Sequence, residues 1–283
     1  LACLEWRKME KIKAVFNGSF DALENIKISP FSRAYTFSDS VYEVVPFFNS
    51  KAIAYEDHIE RLKNSSKSLS IDIDIKNAAD EINKLIKSCN SKNGYVYYQV
   101  TRGVDLIRSH LYSNSLETET FGYVLPFSFN TQPIKVMACK DQRWGRCDIK
   151  STSLLGNIMS MNFAQKEGCK EVIMHRDNIL TEAGASNLFF SVGNKICTPA
   201  LSNNILPGIT RSLLIKELKK SQIKVIEDEY TLADLSKASS AWLTSSTKGL
   251  AAISEIVNLD SNLNINDPIF LKCKDIFDNK FFS

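Results

Sequence analysis

Arg143-Trp144-Gly145-Arg146-Cys147-Asp148-Ile149-Lys150-Ser151 sets a single lysine between a strand region and the start of a helix. A lysine becomes a Schiff-base nucleophile when its surroundings lower its pKa. In a Lys-rich chain the residue type alone singles out no one lysine, so this stretch has to be read with its flanks. Cys147 has no nearby histidine to activate it and reads as a small packed residue.

Working upstream, residues 135–138 read as a strand and residues 127–132 as a linker. Before that, residues 13–16 and 19–23 form a hairpin about the Asn17-Gly18 turn. A strand over 41–48 turns at Asn49-Ser50-Lys51. Helical spacing over 55–69 puts Ile59, Leu62, Ser66 and Leu69 on one face; over 75–89 it turns Ala79, Ile82, Leu85 and Ile86 inward. Strands follow at 95–101 and 121–127. Downstream of Lys150, a helix over 151–168 is expected to pack through Leu154, Leu155, Ile158 and Phe163. Strands are expected at 171–175, 188–192, 195–198, 224–228 and 240–244, with a helix from Thr210 to about Ser221. This alternation predicts a mixed α/β (α+β) fold in two domains, 9–126 and 133–283. Met9 opens an ordinary start, so residues 1–8 read as upstream of the fold.

Composition bounds the function. The 283 residues carry 44% hydrophobic and 24% charged side chains, the balance of a globular protein with a buried core. A net charge of +3, from 35 basic and 32 acidic residues, argues against nucleic-acid binding. The seven cysteines are scattered without a C-x-x-C pair, and the three histidines lie far apart; no metal site is expected, and a reduced, cytoplasmic protein is. No apolar run reaches the roughly 20 residues of a membrane helix, and the charged N-terminus does not resemble a secretory signal.

Three further stretches could carry chemistry. Leu206-Pro207-Gly208-Ile209-Thr210 leads into a helix whose N-terminal N–H groups suit a phosphate; taken alone it also reads as a plain turn with a Thr cap. Thr244-Ser245-Ser246-Thr247 puts hydroxyls at a strand end, for an anion or for an ordinary polar loop. Arg108 and His110, two apart on an extended loop, project the same way and suit a carboxylate clamp; a solvated basic loop is the plainer reading. His58 and Arg61 can edge a packed helix, and His175 reads as structural.

The order of these stretches decides between the readings. VYEVV (41–45), EDHIERL (56–62), YYQVTRGVDLIRSH (97–110), RWGRCDIKS (143–151), LTEAGASN (180–187), ILPGITR (205–211) and LTSSTKG (243–249) together resemble the class IV, fold-type IV, pyridoxal-phosphate (PLP) aminotransferases, and within them the D-amino-acid (D-alanine) enzymes. The resemblance implies a smaller N-terminal α/β domain and a larger C-terminal one, with PLP in the cleft between them. It implies that Lys150 is the Schiff-base lysine and catalytic acid–base, and that Glu182 pairs with the pyridine nitrogen. Arg61, the N–H groups of Ile209 and Thr210, and Ser246 would hold the phosphate, and Leu206 would pack under the ring. Tyr42, Arg108 and His110 match the trap for the substrate carboxylate, with Arg108 and His110 reaching in from the partner of a homodimer. The reaction implied moves an amino group between a D-amino acid and a 2-oxo acid such as 2-oxoglutarate, with no metal, membrane or nucleic acid involved. The same fold also serves branched-chain L-amino-acid transaminases and 4-amino-4-deoxychorismate lyase; the Arg108-Ser109-His110 loop favours the D-amino-acid reading over both. A PLP-binding protein that has lost catalysis is the rival of a different class.

The chain departs from the family pattern at four places. Ser38-Asp39-Ser40 stands for a Gly-Asp-Gly turn, and Ala183-Gly184-Ala185-Ser186 is poorer in serine than its relatives. Lys248-Gly249 replaces a commoner Ser-Glu, and the tail from Asn258 lacks a Gly-rich turn. These departures bear on substrate identity more than on cofactor binding.

Overall fold

Asn17 and Gly18 both take positive φ, 46° and 81°, the geometry of the tight hairpin turn that Asn-Gly favours. They fold β1 (Lys13–Phe16) onto β2 (Ser19–Ala22). In the computed structural model, which describes residues 12–129 and 132–282, this hairpin edges an antiparallel sheet. The expectations on residues 1–8, on Met9 and on Asn130-Thr131 of the linker fall outside the described residues. A short α1 (Arg33–Phe37) precedes β3 (Ser40–Phe48), which turns into β4 (Lys51–Ala52). Helices α2 (Tyr55–Ser68) and α3 (Ile75–Ser88) come next, then β5 (Gly94–Thr101) and β6 (Glu119–Pro126). The strand order is β2-β1-β6-β5-β3-β4. Leu62 of α2 and Ile82 and Leu85 of α3 pack with Val45, Val96 and Tyr98 in one core. Asp74 caps α3 by accepting the Asn77 N–H at 3.0 Å.

The second sheet is mixed. Its elements run β7 (Ile134–Lys140), α4 (Leu155–Lys166), β8 (Glu171–Arg176), β9 (Ile179–Ala183), β10 (Asn187–Val192), β11 (Lys195–Pro199), α5 (Ile209–Lys220), β12 (Val225–Asp228), α6 (Leu232–Ser236), β13 (Ser240–Ser245), β14 (Gly249–Ile256) and α7 (Pro268–Phe281). The strand order is β12-β11-β10-β13-β14-β7-β8-β9, with parallel pairs at β11–β12, β14–β7 and β7–β8. Ile173, Leu188, Phe190, Leu243 and Ile253 centre its core. The fold is thus mixed α/β with two sheets.

Two features differ from the sequence reading. Residues 149–153 pack with the first compact unit, which otherwise ends at Ser128, so the Lys150 segment belongs there rather than with the second domain. The cause is backbone pairing: Ser151 bridges Val41 of β3. The helix expected from Ser151 accordingly begins only at Leu155, and its apolar residues do not pack as expected. Leu155, Ile158, Met159 and Phe163 are all exposed, because periodicity reveals an apolar face but not what covers it. Among the described residues no helix is long and apolar enough to cross a membrane.

Candidate active site

The Lys150 backbone is fixed from two sides within the first unit. Its carbonyl accepts the Tyr42 N–H at 3.0 Å, and its own N–H donates to Ser65 Oγ at 3.2 Å. Strand β3 and helix α2 therefore set where the side chain starts. The ammonium lies 4.3 Å from the centre of the Tyr42 ring, whose electron-rich face attracts a cation. Tyr42 is itself held in a ladder across the sheet: it stacks on Tyr97 at 5.5 Å, and Tyr97 stacks on Tyr123 at 5.2 Å. The structure thus brings together two of the expected site residues, Tyr42 and Lys150.

Arg61 lies on the same helix face as Ser65, one turn earlier. Its Nε and Nη2 donate to the two oxygens of Glu43, at 2.7 and 2.8 Å. Glu43 is fully buried, and it also accepts from His58 Nδ1 at 2.7 Å. Burial would raise the Glu43 carboxyl, but Arg61 and His58 together hold it far below the usual carboxylate range. Burial pushes the His58 imidazole down, against the pull of Glu43. His58 and Arg61 are therefore parts of a buried network and not a solvated edge. Two of its signals were present in sequence, a glutamate on a strand and a histidine and an arginine three apart on a helix, but only folding pairs them.

Arg108 and His110 sit exposed on the loop between β5 and β6. Both contact one ring, Phe37 of α1: the Arg108 guanidinium at 4.9 Å and the His110 ring at 5.5 Å. Arg33 donates to the Ser109 carbonyl at 2.8 Å, anchoring the loop between them. The Ser38-Asp39-Ser40 turn beside Phe37 is also tightly held. Ser38 takes a left-handed φ of 54°, and Asp39 accepts from Arg33 and Arg102 at 2.9 and 2.7 Å.

In the second unit, Glu182 on β9 is buried with three donors. Its Oε1 accepts from Arg143 Nη1 at 2.5 Å and from the Leu206 N–H at 3.1 Å; its Oε2 accepts from Asn187 Nδ2 at 3.0 Å. Burial nevertheless pushes this carboxyl up to about 7. Arg143 offsets burial only partly, because its Nε and Nη2 are committed to Asp141. A folded-state value of about 7 against an ordinary 4.5 means stability that is present below 4.5 and lost as pH rises through 7. Relative to Glu182→Gln, the ligand-free protein is expected to lose about 3 kcal/mol between those limits. Urea denaturation of both proteins at pH 5 and pH 8 measures it; a pH-independent gap would show that Glu182 does not titrate there.

Asn187 also donates to the Leu206 carbonyl at 2.9 Å, tying Glu182 to the Leu206-Pro207-Gly208 turn. A Cβ at Gly208 would meet Asn187 Oδ1 at 1.9 Å, so only glycine lets the turn approach this side chain. Beyond it α5 starts at Ile209, with Ile209 and Thr210 buried in its first turn, where N–H groups have no partner inside the helix. Ser246 lies half-buried in the turn after β13. At the end of β13, Thr244 Oγ1 is buried and has no hydrogen-bond partner among the described residues. Cys147 is buried, with Sγ donating to the Trp144 carbonyl at 3.3 Å. Glu43, Ser65, Arg143 and Asn187 each lie inside or beside a quoted motif, yet nothing in the spacing distinguishes them from their neighbours.

The chain is similar to known proteins in sequence and in fold. The family model for amino-transferase class IV matches residues 40–256. A D-alanine aminotransferase of Listeria monocytogenes serotype 4b (strain F2365) is 34% identical over 279 residues, 94% of this chain and 95% of that protein. Among solved structures, the branched-chain amino acid aminotransferase of Escherichia coli superposes with a TM-score of 0.87 at 19% identity, covering 96% of this chain and 95% of its own. The branched-chain amino acid aminotransferase of Thermobaculum terrenum, solved in its PLP form, gives 0.86 at 16% identity, covering 97% and 95%. At these identities the structural likeness speaks for the fold alone.

Proposed function

The chain belongs to the amino-transferase class IV family, and from that premise we infer that it is a PLP-dependent transaminase acting between a D-amino acid such as D-alanine and a 2-oxo acid. The observation that carries this is the likeness to D-alanine aminotransferases over nearly the whole chain. The two branched-chain enzymes above are 19% and 16% identical, so their likeness speaks for the fold. The residues fit PLP: the orphaned Thr244 hydroxyl lies one residue from the Ser245-Ser246-Thr247 turn, where a phosphate oxygen would satisfy it.

PLP, when bound, supplies an aldehyde that takes up the amino group and a pyridinium ring that draws electrons from the substrate Cα. This chain's residues do the rest. Arg61, whose Nε and Nη2 donate to Glu43, would serve the phosphate, as would the first N–H groups of α5 and Ser246. Glu182 would pair with the ring nitrogen and keep it protonated. Leu206 would pack under the ring. Lys150 Nζ is the group that would hold the cofactor's aldehyde and serve as base and then acid for the proton at the substrate Cα. Tyr42, Arg108 and His110 bind the substrate carboxylate.

A homodimer follows from this reading, with Arg108 and His110 serving the partner's site. It is supported by the exposed Leu106, Ile107 and Leu111 beside those residues and by the exposed apolar face of α4. A cytoplasmic location is supported by the described cysteines, all of which are free thiols.

The test mixes the purified PLP form with D-alanine, L-leucine and 4-amino-4-deoxychorismate in turn and follows the cofactor spectrum. Conversion by D-alanine is expected; conversion by L-leucine but not D-alanine would overturn the substrate assignment. Arg108→Ala is expected to raise KM for the amino acid about 10–100-fold, the loss of a charged hydrogen bond, with PLP affinity held. Equal losses of both would make Arg108 structural.

A further inference from the structure

Two of the places where the chain departs from its family meet at one side chain. We propose that Lys248 is a positioning residue: gripped by Glu171 and Ser186, it fixes the turn Ser245-Ser246-Thr247 in the shape that seats the cofactor phosphate. This rests on the transaminase reading above.

The Lys248 ammonium donates to Glu171 Oε2 at 3.1 Å and to Ser186 Oγ at 3.2 Å. Ser186 Oγ in turn lies 3.4 Å from the same carboxylate oxygen. Glu171, the first residue of β8, is fully buried, and its Oε1 accepts the Val172 N–H at 3.3 Å. At its other end, the Lys248 backbone N–H donates to Ser245 Oγ at 3.2 Å. One residue therefore holds the hydroxyl turn by its main chain and the body of the sheet by its side chain.

The Ala183-Gly184-Ala185-Ser186 stretch is the other half of this arrangement. A Cβ at Gly184 would stand 2.6 Å from Glu171 Oε1 and 2.5 Å from Met161 Sδ. Serine there would displace the carboxylate, so glycine at 184 and lysine at 248 belong together. A buried glutamate is retained only when it is paired, which gives the grip its stiffness. Because Glu171 neutralises Lys248 at hydrogen-bond distance, the lysine adds little net field at the turn and acts through the turn's shape.

Positioning and plain charge give opposite signs in one variant. Cofactor is removed from the enzyme and titrated back, using PLP and, separately, pyridoxal, which lacks the phosphate. Lys248→Met, which keeps the apolar stem, is expected to weaken PLP about tenfold or more while pyridoxal stays within about twofold. Lys248→Arg is expected to restore PLP to within about threefold. Glu171→Gln leaves the lysine in place but loosens its grip, and is expected to weaken PLP as well. If Lys248 acted by charge, Glu171→Gln would tighten PLP, and the proposal would fall. It falls equally if Lys248→Met leaves PLP affinity unchanged, or if PLP and pyridoxal weaken together. A wild-type protein that binds no PLP would instead overturn the functional reading itself.

Discussion

Lys150→Ala is expected to lower the rate of transamination about 10⁴-fold, because the substitution removes the amine proposed both to hold the cofactor aldehyde and to act as acid–base at Cα. PLP is expected to remain bound, since Arg61, the start of α5 and the Ser245–Thr247 turn are untouched. The two effects can be read separately: turnover with D-alanine and 2-oxoglutarate for the first, cofactor retained after gel filtration for the second. The visible absorbance of the bound cofactor is expected to change as well. The tertiary setting supports the assignment. Its carbonyl and N–H are both engaged, by Tyr42 and Ser65, and Tyr42 also offers its ring face to the ammonium. A rate within about tenfold of the wild type, with an unchanged spectrum, would refute the assignment.

Arg143→Met carries the second large effect, on stability. The Arg143 side chain joins Asp141 and Glu182, at 2.8 and 2.5 Å, and both carboxylates are buried. Removing the guanidinium leaves Arg176, at 3.3 Å, as the other cation paired with Asp141 among the described residues. Breaking a buried pair in this way costs about 3–5 kcal/mol. The loss is expected at pH 8 and to shrink at pH 5, where Glu182, already pushed up to about 7, takes up a proton and no longer needs the cation. Urea denaturation at the two pH values measures it. A loss below about 1 kcal/mol, or one equal at both pH values, would show that the network does not hold this part of the sheet.

Individual elements show how far the chain can be read before folding. The Asn17-Gly18 hairpin was legible because Asn-Gly tolerates two successive positive φ values. Helices α2 and α3 were legible because each has one apolar stripe over a polar back. Strand β14, Gly249–Ile256, was not: it is central, mostly buried and nearly continuous in apolar residues, so it shows no alternation. Strand β9 hides a buried Thr181 and Glu182 among five residues, and polar residues in a short run do not read as strand. Helix α7 did carry a usable sign, Asp267-Pro268. Asp267 Oδ1 accepts the Ile269 N–H at 2.8 Å, with proline in the first helical turn.

By itself the sequence determined the family, the cofactor's chemistry and the candidate residues, because motif types in a fixed order survive as letters. It also named the four departures, but not that two of them meet. Only the tertiary structure decided which neighbours work together: Glu43 with His58 and Arg61, Arg143 with Asp141 and Glu182, Lys248 with Glu171 and Ser186. The reason is physical. A motif records side chains that are near in sequence, whereas a buried charge is stabilised by partners brought close from distant strands and helices, and spacing along the chain does not record that proximity.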